Sequence, residues 1–477
     1  MGTETNPLHV MLLPLMAKGH TLPILDIAKL LASRGVKTTV LTTPANSSTF
    51  SNAGGIAVKV VRFPGEEVGL PRGLESPDQV ISKEAYAKFW AALELLLEPV
   101  KQIMLECHPH ALVADMSFLW ASDVAEELGI PRLVFTGAGS FPMCVLESMA
   151  KHKPQRLVNS DTEPFVVPCL PHEIKLTRLQ LPDFERHGLE EEGIAKLFAK
   201  IVESYERSFG VIFNSFYELE SAYADLCKGG RRKAWHIGPV SLCNRVPEQK
   251  ARRGNQSPID YEDCLKWLDS KEPNSVVYVC FGSLVRFRPK QLLEIATALE
   301  SSEQNFVWVV RKDVDEDGGR GQNWLPDGFE QRNREKCLII RGWAPQLLIL
   351  DHESTGGFVT HCGWNSVLEG VASGVAMATW PVSAEQFYNE KLVTEVLQIG
   401  IGVGAKEWVQ FGEHFVGRDG IVKAVRGIME GKEAEEMRKR ARALGETGRR
   451  AVEEGGSSHA DLTHLLEELR SHACGGL

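Results

Sequence analysis

Residues 343–386 read WAPQLLILDHESTGGFVTHCGWNSVLEGVASGVAMATWPVSAEQ, and this stretch is the most informative feature of the chain. The apolar run at 357–360 predicts a buried strand, residues 364–372 predict a helix, and residues 376–380 predict the next strand. Polar side chains gather where the first strand turns into the helix. A helix N-terminus presents N–H groups without intrahelical partners and a partial positive charge, so this turn predicts an anion site.

The side chains of this stretch suit the successive parts of a nucleotide sugar. Trp343 offers a flat face for a base, and Glu369 offers a carboxylate for ribose hydroxyls. Gln386 carries both an acceptor oxygen and a donor NH₂ for two adjacent sugar hydroxyls, and Glu385 beside it accepts from others. The residues of the predicted anion site are His361, Gly363, Asn365 and Ser366. A purely structural turn and helix would leave the Glu385–Gln386 pair unexplained.

Short apolar strands alternate with amphipathic helices along the rest of the chain. In the first half, strands are predicted at 9–15, 37–42, 111–114, 132–135, 210–213 and 235–237, and helices at 21–33 and 118–128. In the second half, strands are predicted at 275–280, 305–310 and 337–340, and helices at 289–299 and 459–471. The polar residues 247–257 predict a linker between the halves. This alternation is typical of parallel, doubly wound α/β sheets.

Composition excludes several classes of function. The net charge of −10 and the absence of a basic run argue against nucleic acid or an anionic membrane as partner. The N-terminal residues lack the basic segment of a secretory signal, and no apolar run approaches the roughly 18 residues of a membrane span. The ten cysteines show no paired spacing, which favours reduced thiols. We therefore expect a cytoplasmic protein without integral membrane association.

His20 and Asp115 are the candidates for acid–base chemistry. His20 follows the first predicted strand, and Asp115 ends the strand at 111–114. Ligands of open α/β sheets collect at the carboxyl ends of strands, so both side chains should enter one crevice. A neutral imidazole suits removal of a hydroxyl proton, and a carboxylate on its far nitrogen orients it. A structural alternative stays open for each, as a residue at a helix start.

The stretch 343–386 resembles the signature box of plant family 1 UDP-glycosyltransferases, and its first and last residues both match. MAKGH at 16–20, GVIFNSFYELE at 210–220 and FYNEKLVTEVL at 387–397 extend the resemblance over essentially the whole chain. Asp115 also matches the family, where an Asp precedes a Trp by five positions, here Trp120. The last run, with WPVSAEQ, resembles the secondary-product branch that glucosylates flavonoids, other phenolics, triterpenoids and steroids.

The resemblance implies the GT-B fold, in which two Rossmann-like doubly wound domains face each other across a cleft. We expect an N-terminal acceptor-binding domain over 1–245, a linker over 246–258 and a UDP-sugar-binding domain over 259–454. A C-terminal helix within 455–477 is expected to pack back on the N-terminal domain.

The resemblance adds residues to the donor site. It implies that Ser283 contacts a phosphate and that Thr136 reaches the transferred sugar, although both would also fit ordinary turns. The other donor-binding residues that it implies are Ala344, Gln346 and Trp364. The apolar residues expected to line the acceptor pocket, which would equally fit a core, are Phe89, Trp90, Phe118, Leu119, Phe141, Met143 and Phe184.

The implied activity is that of an inverting hexosyltransferase, which moves glucose from UDP-glucose to a hydroxyl of a hydrophobic small molecule. No cofactor is expected, because the UDP-sugar is a co-substrate, and we expect a monomer. No metal is expected either. Asp313 and Asp315 resemble a metal-binding D-x-D motif but lie in a hydrophilic stretch that favours a solvated loop, and His108 and His110 lack further ligands at metal spacing.

Several alternatives stay open from the sequence. The acceptor is either a flavonoid or phenolic, or a triterpenoid or steroid. Transfer to carbon on a phenolic acceptor and use of another UDP-sugar are alternatives within the enzyme class. UDP-sugar binding without catalysis is the alternative outside it, and the presence of His20 and Asp115 argues against it.

Overall fold

A computed structural model of the chain describes residues 7–50, 54–186, 200–229, 233–311, 324–413 and 415–475. Its strands are β1 (His9–Leu13), β2 (Lys37–Thr42), β3 (Ile56–Val60), β4 (Ala111–Asp115), β5 (Arg132–Phe135), β6 (Phe165–Val167), β7 (Ile174–Leu176), β8 (Gly210–Phe213), β9 (Lys233–His236), β10 (Val276–Cys280), β11 (Asn305–Val310), β12 (Cys337–Arg341), β13 (Thr355–Thr360), β14 (Ala376–Thr379) and β15 (Gly400–Gly402).

The α-helices up to residue 302 are α1 (Lys18–Ser33), α2 (Lys83–Glu94), α3 (Leu97–Cys107), α4 (Ala121–Glu127), α5 (Ser140–His152), α6 (Asp183–Arg186), α7 (Ser221–Lys228), α8 (Pro247–Ala251), α9 (Tyr261–Asp269) and α10 (Pro289–Ser302). Those that follow are α11 (Phe329–Asn333), α12 (Gln346–Leu350), α13 (Trp364–Ser373), α14 (Gln386–Lys391), α15 (Arg418–Met429), α16 (Gly431–Val452) and α17 (Ser457–Gly475). Residues 200–206 are also helical, and a π-helical turn, Leu392–Val396, continues α14.

The chain divides into two compact units. The first comprises Met1–Ser140, Glu190–Cys243 and Arg450–Leu477, and the second comprises Phe141–Leu189 and Asn244–Arg449. Each contains one parallel sheet with helices, as expected for Rossmann-like domains of the GT-B class.

The sheet of the first unit has seven parallel strands in the order β3-β2-β1-β4-β5-β8-β9. The order reverses between β1 and β4, which pair with Leu13 opposite Ala114. Crossovers leave this pair of strands in opposite directions, so a crevice forms at their carboxyl ends. The sequence that follows β1 and the last residue of β4 therefore meet there.

The sheet of the second unit has six parallel strands in the order β12-β11-β10-β13-β14-β15. Its order reverses between β10 and β13, whose last residues, Cys280 and Thr360, pair with each other. The same argument places a crevice at the carboxyl ends of these two strands. A separate antiparallel pair, β6 and β7, also belongs to the second unit.

The predicted strand–turn–helix–strand unit of 343–386 is confirmed. Helix α13 begins after Gly363, and most of its residues are buried. It ends at Gly374, whose φ of +75° favours glycine, and a Cβ there would lie 3.0 Å from Cα of Arg442. Strand β14 follows at once, so the polar turn after β13 is fixed at both ends by buried elements.

Helix α17 packs on the first unit. Ser458 donates a hydrogen bond to the carbonyl of Gly238 at 2.6 Å, and the carboxylate of Asp461 accepts one from the N–H of His236 at 2.8 Å. The leucines that it adds to the core of this unit are Leu462, Leu465, Leu466 and Leu469.

For two segments, the grouping into compact units differs from the domain boundaries expected from the sequence. Residues 141–189 group with the second unit, although we expected them in a domain spanning 1–245. Residues 247–257, which their polarity identified as a linker, also group with the second unit. They contain helix α8, and Arg253 is buried. Polarity alone did not separate a solvated linker from a segment whose charged side chain is paired.

Candidate active site

His20 and Asp115 form a hydrogen-bonded pair in the crevice of the first unit. Nδ1 of His20 lies 2.5 Å from Oδ2 of Asp115. The carboxylate is fully buried, whereas a quarter of the His20 side chain is exposed. The pair therefore presents imidazole to solvent and holds its charge partner inside.

The surroundings of Asp115 favour its ionised form. Burial by itself raises the pKa of Asp115, but the nearby His20, with hydrogen bonds from His20 and Ser117, holds it below its ordinary value. The backbone N–H of Ser117 donates to Oδ1 at 2.9 Å. An ionised Asp115 accepts from Nδ1–H of His20, which leaves the lone pair on Nε2.

Gly137, in the turn after β5, packs against the His20 ring. Its φ is +70°, and a Cβ on it would lie 2.6 Å from Cε1 and 2.9 Å from Nδ1 of His20. Heavy atoms do not approach so closely without displacement, so only glycine leaves room for the imidazole beside Asp115. A role for this glycine beside His20 was not predicted from the sequence.

Thr136, which precedes Gly137, is buried and bonded within its own turn. Its hydroxyl donates to the carbonyl of Ala138 at 2.9 Å, and the N–H of Ala138 donates back to it at 3.2 Å. These contacts fix the hydroxyl within the turn, and the sugar contact that the resemblance implied stays a prediction.

The turn after β13 places His361 between two glycines. A Cβ on Gly282, where φ is +69°, would lie 2.6 Å from Cε1 of His361, and one on Gly363 would lie 2.4 Å from Nε2. Burial lowers the pKa of His361 to about 4, and its enclosed Nδ1 has no partner among the described residues. A neutral imidazole keeps one N–H to donate to a ligand oxygen.

The N-terminus of α13 lies directly beyond this imidazole. Trp364 and Ser366 are buried in its first turn, and Asn365 between them is partly exposed. Ser283 follows Gly282 in the neighbouring turn, where its carbonyl accepts a hydrogen bond from Arg311. These turns end β10 and β13, so the residues expected to bind phosphate are grouped at one crevice.

Glu369 is held by two side chains. Nη1 of Arg253 donates to its Oε1 at 2.7 Å, and Nε2 of Gln346 donates to its Oε2 at 2.7 Å. The Oε1 atom of Gln346 in turn accepts from the hydroxyl of Tyr278 at 3.3 Å. A carboxylate has about four lone-pair positions, so Glu369 keeps acceptor capacity for a ligand.

Trp343 packs against the segment that precedes α9. Its indole N–H donates to the carbonyl of Arg253 at 3.2 Å, and a Cβ on Gly254 would lie 2.3 Å from its Cζ2. The neighbouring Ala344 is buried, and its carbonyl accepts from the N–H of Gln346 at 2.9 Å. The backbone at Arg253 and Gly254 therefore fixes one edge of the indole ring.

Within the fold, Gln386 forms hydrogen bonds to its own turn. The sequence predicts that its amide offers both an acceptor and a donor to the sugar. In the structure, its Oε1 accepts from the N–H groups of Val382 and Ser383, at 2.9 and 3.0 Å. Ala384, in the turn between Ser383 and Gln386, has φ +51°. The buried amide oxygen of Gln386 therefore accepts hydrogen bonds from the backbone of this turn. No described residue accepts from the NH₂ group, which is the part available to a ligand.

Glu385 is oriented from the helix that follows it. Nδ2 of Asn389 donates to its Oε1 at 3.2 Å and to the carbonyl of Cys362 at 2.8 Å. Asn389 is fully buried, and it links the Glu385 carboxylate to the turn that carries His361.

The expected acceptor-pocket residues do not share one environment. Phe89, Phe118 and Phe141 are fully buried core residues. Those with partial exposure are Trp90, Leu119 and Met143. Phe184 lies in α6, and its side chain is outside the described part of the structure. Apolar composition does not distinguish a core from a pocket, so the acceptor-pocket role of these seven residues stays a prediction.

Some residues that resemble metal ligands, and the lengths of the helices, bear on metal binding and on membrane association. Asp313 and Asp315 lie outside the described residues. His110 uses its Nδ1 to accept the N–H of His9 at 2.9 Å. Within the described ranges, no three His, Cys, Asp or Glu side chains gather as metal ligands. Every helix in the same ranges is too short or too polar to cross a bilayer.

Comparison with known proteins gives long matches. A family model described as UDP-glucoronosyl and UDP-glucosyl transferase matches residues 245–438. Scopoletin glucosyltransferase of Nicotiana tabacum is 51% identical, over 98% of this chain and 99% of its own length. UDP-glucose flavonoid 3-O-glucosyltransferase 7 of Fragaria ananassa is 52% identical over the full length of both chains.

A solved structure matches with similar coverage. UGT73P12 of Glycyrrhiza uralensis, complexed with glycyrrhetinic acid 3-O-monoglucuronide, has a TM-score of 0.89 and is 41% identical. The match covers 98% of this chain and 97% of that one.

The packing of Gly137 on His20 generates a first prediction. Gly137→Ala places a methyl group where the imidazole lies, so the imidazole must leave its alignment with Asp115. We expect glucosyl transfer, the reaction that the sequence predicts, to slow by about 10²-fold, as for a misplacement of about 1 Å. The measurement is the initial rate at saturating UDP-glucose.

Gly129→Ala is the matched control. Gly129 has a similar φ of +66°, but a Cβ there meets nothing within 4 Å. Both variants should lose about 1–2 kcal/mol of stability from the left-handed backbone, and only Gly137→Ala should lose rate. Equal rates in the two variants would show that the imidazole does not depend on Gly137.

Proposed function

Because the chain belongs to the family of UDP-glucuronosyl and UDP-glucosyl transferases, we propose that it transfers glucose from UDP-glucose to a hydroxyl of a hydrophobic small molecule. The observation that carries the proposal is the hydrogen bond between Nδ1 of His20 and the buried carboxylate of Asp115. Relatives at 51% and 52% identity are named as glucosyltransferases, which supports glucose as the sugar.

His20 acts as the general base in this proposal. Its Nδ1–H stays on Asp115, and Nε2 takes the proton of the acceptor hydroxyl as the oxygen attacks C1 of glucose. The bond between C1 and the β-phosphate oxygen breaks, and its electron pair leaves with UDP. One displacement inverts the anomeric centre, so UDP-α-glucose gives a β-glucoside.

The second unit binds the donor in this proposal. The N-terminus of α13 and the N–H of neutral His361 stabilise the diphosphate as negative charge develops on it, and Ser283 adds a hydroxyl donor. Trp343 stacks on the base beside Ala344, and Glu369 and Gln346 bind ribose hydroxyls. Glu385 accepts from sugar hydroxyls, and the NH₂ of Gln386 donates to one.

The acceptor is a hydrophobic molecule with a hydroxyl group. The names of the similar proteins include scopoletin, a flavonoid and a triterpenoid glucuronide, which supports this class without selecting one member. A screen that measures UDP release from UDP-glucose against phenolics, triterpenoid aglycones and steroids tests the proposal. Product analysis distinguishes an O-glucoside from a C-glucoside, and UDP-glucose binding without turnover on any acceptor would overturn the catalytic assignment.

A second prediction concerns the base. His20→Ala should lower the rate on an ordinary alcohol or phenol by about 10²–10⁴-fold, because proton removal loses its acceptor. UDP affinity, measured by calorimetry, should stay near the wild-type value. A highly acidic phenol serves as internal control, since it ionises unaided and should keep more of its rate. Undiminished turnover of a weakly acidic acceptor would exclude His20 as the base.

A third prediction concerns metal ions. We propose that the helix N-terminus and side-chain donors stabilise the leaving diphosphate, so transfer should continue in excess EDTA at an unchanged rate. The rate is compared with a sample supplemented with Mg²⁺ or Mn²⁺. Loss of activity in EDTA and its return with either ion would contradict metal independence and direct attention to Asp313 and Asp315.

A fourth prediction concerns donor choice. Gln386→His removes the amide NH₂ and the oxygen that caps Val382 and Ser383. In the resembled family, Gln at this position goes with glucose and His is often found with galactose. We expect slower transfer from UDP-glucose and a smaller gap to UDP-galactose, measured by competition between the two donors. Lost hydrogen bonds of this kind change discrimination by about 1–3 kcal/mol each.

Gln386→Glu is the matched control, because it keeps the capping oxygen and replaces only the donor. If the NH₂ group contacts the sugar, Gln386→Glu should also lose glucose transfer while its melting temperature stays near wild type. An unchanged glucose-to-galactose ratio in both variants would show that another residue selects the donor.

A further inference from the structure

Two consecutive residues of the polar segment 247–257 lie against side chains that we assign to the nucleoside. Arg253 bonds to Glu369 through its guanidinium and to Trp343 through its carbonyl, and Gly254 packs on the Trp343 ring. All four residues belong to the second unit. One short segment therefore contacts both the proposed base-stacking residue and the proposed ribose acceptor.

The Arg253–Glu369 pair is almost completely buried, with 6% and 5% of the two side chains exposed. A carboxylate removed from water in this way needs a cation and hydrogen bonds to stay charged. Arg253 supplies the cation at 2.7 Å, and Gln346 supplies the second donor. Together they fix the carboxylate plane and leave its remaining lone pairs in fixed directions.

Gly254 and the Arg253 carbonyl fix the indole in a similar manner. Gly254 has φ +96°, and its missing side chain leaves the space that the ring edge fills. The indole N–H is its one hydrogen-bond donor, and it is directed at the Arg253 carbonyl at 3.2 Å. The orientation of the ring face follows from these two contacts.

We propose that Arg253 and Gly254 are positioning residues of the nucleoside site, which preorganise Glu369 for the ribose hydroxyls and Trp343 for the base. This inference rests on the proposed function, since it assumes that the second unit binds a uridine diphosphate sugar. Preorganised groups bind a ligand without the cost of ordering them first, so the contribution appears in donor affinity.

If the same contacts had the opposite role, loss of Arg253 would change the KM for UDP-glucose in the opposite direction. If the Arg253 guanidinium competed with ribose for Glu369, its removal would expose the carboxylate and lower the KM for UDP-glucose. If it positions Glu369, its removal leaves a buried carboxylate without its cation and raises that KM. The burial of the pair and the second bond from Gln346 favour positioning, because Glu369 keeps lone pairs for the ligand.

The test compares Arg253→Gln with Arg252→Gln. Arg252 is the exposed neighbour, so the control makes the same charge change in the same segment. For Arg253→Gln we expect the KM for UDP-glucose to rise about 10- to 100-fold, which is the range for hydrogen bonds to charged groups. The kcat and the KM for the acceptor should stay within about twofold of wild type, and Arg252→Gln should change none of the three.

A nucleotide probe separates positioning from general support of the fold. UDP and 2′-deoxy-UDP are titrated into wild type and Arg253→Gln by calorimetry. Wild type should bind UDP more tightly, and the variant should lose most of that preference, because Glu369 no longer points at the hydroxyl. A merely structural loss would weaken both nucleotides equally. Arg253→Lys restores the charge and should recover part of the preference.

A double-mutant comparison completes the test. In a Glu369→Gln background, Arg253→Gln should add less than about twofold to the KM for UDP-glucose, because the effect passes through Glu369. Fully multiplicative effects, an unchanged KM or a lowered KM would each overturn the inference. These results are distinct from failure of the proposed function, in which wild type itself would bind no UDP and transfer no sugar. If Arg253→Gln does not fold, Arg253→Lys carries the comparison of UDP with 2′-deoxy-UDP, and an unchanged preference there overturns the inference.

Discussion

The placement of one histidine at each sheet reversal is the constraint on which both candidate sites depend. His20 follows β1 and His361 follows β13, and each ring packs on a glycine with φ near +70° from a neighbouring turn, Gly137 or Gly282. The sheet order makes the two crevices, and the glycines let each ring lie close to backbone. The same local device therefore serves twice in the chain.

The two histidines differ in chemistry because their partners differ. Asp115 lies at 2.5 Å from His20 and stabilises a positive charge on that ring, so His20 is suited to accept a proton. His361 has no described partner at Nδ1, and burial lowers its pKa to about 4. It stays neutral at pH 7 and is suited to donate one hydrogen bond to an anion without titrating.

Regular elements could be predicted from the sequence, and close packing could not. The alternation of apolar runs placed β2, β5, β8 and β11 at their observed residues, since buried parallel strands carry a strong local signal. β15, a Gly-Ile-Gly segment, has almost no such signal. The first helix begins at Lys18, before the apolar spacing at 21–33 that identified it, because its first turn carries the polar residues of the site.

The residues proposed to contact ligands were easier to propose from the sequence than the residue that positions them. His20, Asp115 and His361 were proposed from residue type and position after a strand, and Glu369 from its place one turn into the following helix. Arg253 was not identified, because a charged residue in a polar segment ordinarily indicates solvent. Its partner Glu369 is 116 positions away, and no local pattern records that separation.

Internal hydrogen bonds restrict what the proposed donor site can recognise. Gln386 uses its oxygen to cap the turn at Val382 and Ser383, so it approaches a ligand as a donor alone. Glu385 beside it is an acceptor alone, and Asn389 fixes one of its oxygens. A fixed donor next to a fixed acceptor distinguishes sugar hydroxyls by direction, because a misplaced hydroxyl leaves a buried group unpaired. Selectivity in such a site comes from polar groups that the fold has already oriented, and in our proposal Arg253 orients Glu369 in this way for the nucleoside.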